Sequence, residues 1–220
     1  MIFHGYFRSS AAWRCRIAFN LKKVEVDTRY VHLRKGEQRA SSYMTINPQG
    51  LVPALELDDG TIITQSLAII EWLDEKYPTP ALLPADAVER AQTRAFAQII
   101  ACDIHPLQNL RVLQYLKTEY DQQQSGLDTW CARWLGDGLS ACEAIAAKHA
   151  QGGAFCFGDT PSMADICLIP QLASAERFGV SLEAMPRLRS IRSACDALPA
   201  FRKAEANRQP DAENWGEFMN

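Results

Sequence analysis

The chain has 220 residues, 47% hydrophobic and 22% charged, which suits one large domain or two small ones with a buried core. A net charge of −3 excludes the strong basic field needed for nucleic acid or an anionic membrane surface, and no apolar run nears the roughly 18 residues of a membrane span. The seven cysteines, Cys15, Cys102, Cys131, Cys142, Cys156, Cys167 and Cys195, include no Cys-x-x-Cys pair, which argues against a metal centre and a dithiol redox centre; with no basic-then-apolar leader at the start, reduced and mostly buried thiols in a cytoplasmic protein are expected.

Ile2 to Tyr6 reads as a strand, followed by Arg8-Ser9-Ser10 and a helix from about Ala11 to Leu21. A strand turning into a helix leaves the first helical amides unpaired and gathers positive partial charge there. Ser9 and Ser10 lie in that turn, where a hydroxyl either caps the helix or holds an anion such as a thiolate; spacing alone leaves both open. Lys22 and Lys23 suit the helix C-terminus, and Val24, Val26, Thr28 and Tyr30 alternate as a second strand. Lys35 to Ile46 reads as a short or irregular helix. After the Asn47-Pro48-Gln49-Gly50 turn, Leu51 to Leu57 forms a strand in which Pro53 marks the beginning or a cis peptide. Asp58-Asp59-Gly60 turns the chain back into Thr61–Thr64, and a helix then runs to Tyr77 with Ser66 as its N-cap and Leu67, Ile70, Leu73 and Tyr77 on one stripe. The order βαβ then ββα describes a thioredoxin-like half.

Tyr77 to Pro84 holds three prolines in eight residues and reads as a stiff connector between domains. Everything beyond is helical in pattern. Asp86-x-x-Glu89 is a capping box opening a helix through about His105, which Pro106 interrupts before Leu107–Tyr120 continues. Leu127–His149 follows, closed by Gly152-Gly153, and Ser162-x-x-Asp165 is a second capping box for a helix to about Phe178 with Pro170 inside. Two last helices, 185–197 and 199–206, precede a polar end in which Trp215 and Phe218 are candidates for docking. The fold class expected is α/β plus all-α, with domains at 1–80 and 86–220.

An α/β half joined through prolines to a helical half resembles the soluble glutathione transferases. Arg8-Ser9-Ser10-x-x-Trp13-Arg14-x-Arg16-Ile17-Ala18 is similar to the zeta-class active-site signature. Asn47-Pro48-x-Gly50-x-Val52-Pro53-Ala54-Leu55, Gln65-Ser66-x-Ala68-Ile69-Ile70-Glu71-Trp72-Leu73, Ile104-His105-Pro106-Leu107-Gln108-Asn109-Leu110-Arg111 and Gly158-Asp159-x-Pro161-x-x-Ala164-Asp165 match the same class in order. The resemblance implies glutathione as cofactor and no metal. The implied reaction is cis–trans isomerisation of maleylacetoacetate to fumarylacetoacetate in tyrosine and homogentisate catabolism. Its alternatives are maleylpyruvate in gentisate catabolism, or a broader transferase or dehalogenase of small α-halo acids. It also implies a homodimer acting on a small dicarboxylate keto acid, with no nucleic-acid or membrane partner.

Carried over position by position, the resemblance makes Ser9 the hydroxyl nearest the glutathione sulfur, with Ser10 beside it, Ala11 in the same loop and Arg8 at the catalytic centre. Lowering a thiol from about 8.5 to about 6.5 needs roughly 2.7 kcal/mol of preference for the anion. A helix N-terminus supplies about 0.3–2 kcal/mol and a hydrogen bond to a charged acceptor about 1.5–3 kcal/mol, so no separate base is required. Val52, before Pro53, corresponds to the residue whose backbone pairs with the tripeptide. Gln65 and Ser66 receive its γ-glutamyl end, and Gln49 and Gln38 its glycine end. Asp103, His105, Asn109 and Arg111 match positions near the cleft, some placed to reach a neighbouring subunit. Arg8, Arg111 and Arg177 match the pocket that grips substrate carboxylates, which arginine does bidentately. Trp13, Arg14 and Arg16 are assigned to packing and helix charge, with Arg14 placed to feel the site. His105 reads more readily as a packed histidine than a base, and Cys15 as core. Many zeta members carry Cys and Ser where this chain has Ala11 and Ala12. A dithiol oxidoreductase is disfavoured because Ser9 stands where that chemistry wants Cys, and a non-enzymatic scaffold has no use for the thiol pocket.

Overall fold

β1 (Ile2–Gly5) is buried from Phe3 onward and pairs on both sides. A computed structural model describes residues 1–149 and 153–212; Gly152, Trp215 and Phe218 lie outside them. After β1 come α1 (Ser10–Lys22), β2 (Asp27–Tyr30), two 3-10 turns (Leu33–Lys35 and Glu37–Arg39), the short α2 (Ser41–Met44), β3 (Ala54–Glu56), β4 (Ile62–Thr64) and α3 (Ser66–Lys76). The sheet order is β2-β1-β3-β4, with β1 parallel to β2 and antiparallel to β3, and β3 antiparallel to β4. Phe3 stands opposite Leu55, and both are buried. Among the described residues β2 pairs only with β1, at the edge of the sheet, and all four of its residues are exposed rather than alternating.

The buried face of α3 is Ser66, Ile69, Ile70 and Leu73, an i, i+3, i+4, i+7 stripe that begins at its first residue. The expected stripe through Leu67 and Tyr77 is therefore displaced, and Ser66 is the first helical residue while Gln65 is the cap. Lys22 does not end α1 in solvent. Its buried ammonium pairs with Asp74 and donates to the carbonyls of Tyr77 and Pro80, which ties the start of the linker to α1. Both Val52–Pro53 and Thr79–Pro80 are cis.

Contacts divide the chain into Met1–Ala81 together with the segment from Ala197, and Leu82–Asp196. The sequence expectation grouped everything after residue 86; the last helix instead packs on α1, where Asn20 donates to the carbonyl of Ala200 at 2.9 Å and Arg16 Nε to that of Ala204 at 3.0 Å.

The second unit contains α4 (Ala87–Gln98), a π-helical turn (Ile99–Ile104), a 3-10 turn (His105–Gln108), α5 (Leu110–Glu119), α6 (Gln124–Lys148), α7 (Met163–Arg177) and α8 (Pro186–Asp196); α9 (Pro199–Ala204) belongs to the first. Asp86 caps α4 by accepting from the amides of Val88 and Glu89. Asp165, wholly buried, closes the second capping box onto Ser162 and takes the Cys156 amide on its other oxygen. The expected helix to His105 gives way after Gln98 to the π turn, which packs against α6 at Gly138, where a Cβ would come within 2.3 Å of Ile104. Among the described residues no helix is long and apolar enough to cross a membrane, and no cluster of ligating side chains suits a metal.

Candidate active site

The turn between β1 and α1 is fixed from several directions. Arg16 places Nη1 on the carbonyl of Tyr6 at 3.4 Å and Nη2 on that of Phe7 at 3.0 Å. Asp211 accepts from the Phe7 amide at 2.9 Å. Burial lowers Arg16 to about 10, against the attraction of Asp211, and the same burial raises the Asp211 carboxyl. Tyr6 and Phe7 pack with Ala206, and Trp13, Leu33, Val52 and Ala212 cover them.

Ser9 is the N-cap of α1, and its Oγ accepts from the Ala12 amide at 3.2 Å. That bond uses an oxygen lone pair and leaves the hydroxyl hydrogen to be given outward. Capping and anion binding, which the spacing left as alternatives, are thus compatible in one residue. Ser10 is the first residue of α1, half-buried like Arg8, and Ala11 follows in the buried face.

Around this turn the structure gathers several of the expected glutathione residues. Tyr43 Oη and Asn47 Nδ2 both donate to the Leu51 carbonyl at 2.7 Å, fixing the chain just before Val52 and Pro53. Burial raises the Tyr43 phenol to about 12, against the hydrogen bond with Asn47. Gly50, at φ 61, approaches the backbone of Gln38, whose Oε1 is buried with no hydrogen-bond partner among the described residues. Gln49 and Gln65 are joined side chain to side chain. Gln65 takes φ 71 and provides no side-chain cap for α3. Ser66 is buried against α1, where Arg14 Nη1 reaches its Oγ. A donor at one helix start, an uncapped second helix start and an orphaned buried acceptor fit a small anionic peptide bearing a thiol.

The other expected residues belong to the second unit. Asp103 is exposed on the π turn, His105 opens the 3-10 turn, Asn109 caps α5 by accepting from the Arg111 amide at 3.1 Å, and Arg111 is exposed beside it. Arg177 ends α7 with its guanidinium 5.0 Å from the Phe178 ring centre. In α6, Trp130 donates to the Leu107 carbonyl at 2.7 Å, and the charge of Arg177 opposes the burial that lifts Cys131.

The sequence assigns Arg14 and Arg16 to packing and helix charge, and does not single out Asp211, Tyr43 and Asn47 as supports. The apolar run of α1 held a partial signal: Ala11, Ala12, Cys15, Ile17, Ala18 and Phe19 are buried along with Arg14, while Ser10, Trp13, Arg16 and Asn20 keep a half-buried stripe.

Models of the glutathione S-transferase N-terminal and C-terminal domains match residues 8–76 and 122–203. The maleylacetoacetate isomerase of Pseudomonas aeruginosa is 45% identical over 213 residues, 96% of this chain and 98% of that protein. The holo structure of a maleylpyruvate isomerase, described as a bacterial zeta-class glutathione S-transferase, shares 45% identity with a TM-score of 0.94, covering 97% of this chain and 100% of its own. A maleylacetoacetate isomerase from Methylobacterium extorquens, solved with malonate and glutathione bound, shares 37% identity with a TM-score of 0.93 over 97% of this chain and 100% of that one.

Proposed function

The chain belongs to the zeta class of the glutathione S-transferase family, and on that premise we propose that it isomerises maleylacetoacetate to fumarylacetoacetate with glutathione as a cofactor that is not consumed. The chemistry glutathione supplies is reversible addition of its thiolate to the cis double bond, which lets the carbon–carbon bond rotate before the thiolate departs.

The observation that carries this reading is the bonding of Ser9. Its oxygen accepts from the Ala12 amide, which leaves its hydrogen for an acceptor at the start of α1, where the helix favours negative charge. Ser9 donates to the sulfur and takes no proton from it. Ser10 and Ala11 complete the loop. Val52 pairs with the tripeptide backbone beside Pro53, Gln65 and Ser66 receive the γ-glutamyl end, and Gln49 and Gln38 the glycine end. Arg8, Arg111 and Arg177 hold the carboxylates of the substrate, while Asp103, His105 and Asn109 complete the glutathione contacts, in part across a homodimer. The α/β domain thus carries the cofactor and the helical domain the substrate, in a cytoplasmic enzyme.

Maleylpyruvate is the second reading, favoured by the 45% identity to a maleylpyruvate isomerase of known structure. The two are separated by comparing kcat/KM for both acids on the same preparation. Turnover only in the presence of glutathione is expected for either; equal rates without a thiol overturn both. Sedimentation of the full chain as a single-subunit species would remove the homodimer from the reading.

A further inference from the structure

Arg14 is 1% exposed and stands first among the largest fully buried side chains. Its Nη1 donates to Ser66 Oγ at 3.4 Å, while Nε and Nη2 are buried with no hydrogen-bond partner among the described residues. A buried guanidinium with unused donors is costly, and an apolar side chain of similar volume would be the more stable choice at a purely structural position. Its location gives the reason. Ser66 opens α3, whose cap residue Gln65 offers no side-chain bond to the first amides. Guanidinium can only donate. With a lone pair of Ser66 Oγ taken by Arg14, the hydroxyl hydrogen is turned away from the arginine and is available only to an acceptor.

We propose that Arg14 is a positioning residue for a carboxylate bound at the start of α3, fixing Ser66 as a donor and setting a positive charge behind it. The group it selects is the α-carboxylate of the γ-glutamyl end. This rests on the reading of Gln65 and Ser66 as the γ-glutamyl subsite. Arg14 does not touch the ligand itself; it acts through Ser66 and through the field at the helix start, where an anion already finds positive partial charge.

The test is calorimetric titration of the full chain with glutathione and with 4-aminobutyryl-cysteinylglycine, the same tripeptide without its α-carboxylate. The wild-type chain is expected to bind glutathione at least about tenfold more tightly, the size of one hydrogen bond to a charged group. Arg14→Met is expected to lose most of that ratio, and Arg14→Lys to keep part of it. In turnover Arg14→Met raises KM for glutathione and leaves kcat at saturation within about twofold, because the sulfur is held elsewhere. Arg14→Met with the wild-type ratio, even if both affinities drop, overturns the proposal, since a merely structural arginine weakens both ligands alike. Should Arg14→Met not fold, Arg14→Leu, which likewise gives Ser66 neither donor nor charge, takes its place: a lost ratio supports the proposal and a wild-type ratio overturns it. Equal binding of both tripeptides by the wild-type chain also overturns it. Failure of the wild-type chain to bind glutathione at all overturns the parent reading instead.

Discussion

Gln65 Nε2 donates to Gln49 Oε1 at 2.9 Å, so two side chains that the resemblance sends to opposite ends of a tripeptide form a single pair. Gln49 is anchored in turn by its amide, which donates to Asn47 Oδ1 at 3.1 Å. Gln65 is anchored by the backbone of α3, entered at φ 71. A non-glycine residue held at positive φ costs of order 1–3 kcal/mol and persists where the surroundings demand it.

Gln65→Gly therefore separates side chain from backbone. The glycine takes the same φ without strain, so the melting temperature is expected to hold or rise. The lost amide raises KM for glutathione by about tenfold. A lower melting temperature with an unchanged KM would show that Gln65 serves the fold and not the ligand.

The cap that Ser9 makes and the donor role proposed for it can be divided by substitution. Ser9→Ala removes the helix cap, worth about 1 kcal/mol, and the donor to sulfur, lowering kcat/KM by roughly 10- to 150-fold. Ser9→Asp keeps an acceptor for the Ala12 amide and restores stability, yet it sets a negative charge against the thiolate. It is expected to fold like wild type and to be no faster than Ser9→Ala. Wild-type rates in Ser9→Asp would remove the hydroxyl from the mechanism.

Asp211 predicts a pH dependence with a definite sign. Burial raises its carboxyl above the ordinary 3.8, against the opposing Phe7 amide and the charges of Arg16 and His32. Between the ordinary and raised values the native chain keeps a proton that the unfolded chain has released. The contribution of this group is thus fully present below about pH 4 and is lost as pH rises through the raised value. Asp211→Asn fixes the neutral form and keeps an oxygen for Phe7. In urea unfolding it should match wild type near pH 4 and gain up to about 1 kcal/mol at pH 7. A variant that loses stability at pH 7 relative to pH 4 would mean that attraction to Arg16 outweighs the burial.

The thiols give a prediction of reactivity. Cys102 is exposed on the π turn, and the other six cysteines are buried. Burial lifts Cys131 to about 11 and Cys142 to about 12, leaving little thiolate at neutral pH. An aromatic disulfide reagent should consume one thiol quickly in the native chain and the rest only on unfolding. Loss of the fast phase in Cys102→Ser assigns it; a second fast thiol would contradict the burial.

What could be read from the chain alone was what neighbours in sequence decide. The capping residues Asp86 and Ser162 with Asp165, and the turn at Asp58–Gly60 between β3 and β4, lie where they were expected because each is closed by bonds within a few residues. Ser9 was placed at the start of α1 for the same reason. The rest depended on partners far along the chain. Lys22 looks like a helix end until α3 brings Asp74 to it, and Arg14 reads as packing and helix charge until Ser66 arrives from that same α3. The π turn packs its Ile104 closely against Gly138 of α6, a contact that no local pattern encodes.

The packing of α9 on α1 bears on how this molecule is made. Synthesis completes the sheet and its helices by Ala81, yet one flank of α1 has no cover until more than a hundred further residues have been joined. The earliest part of the chain is thus among the last to be finished. Swapping halves between relatives by a single cut at the prolines would leave that flank facing a foreign tail; a working chimera has to carry both ends of the chain from one parent.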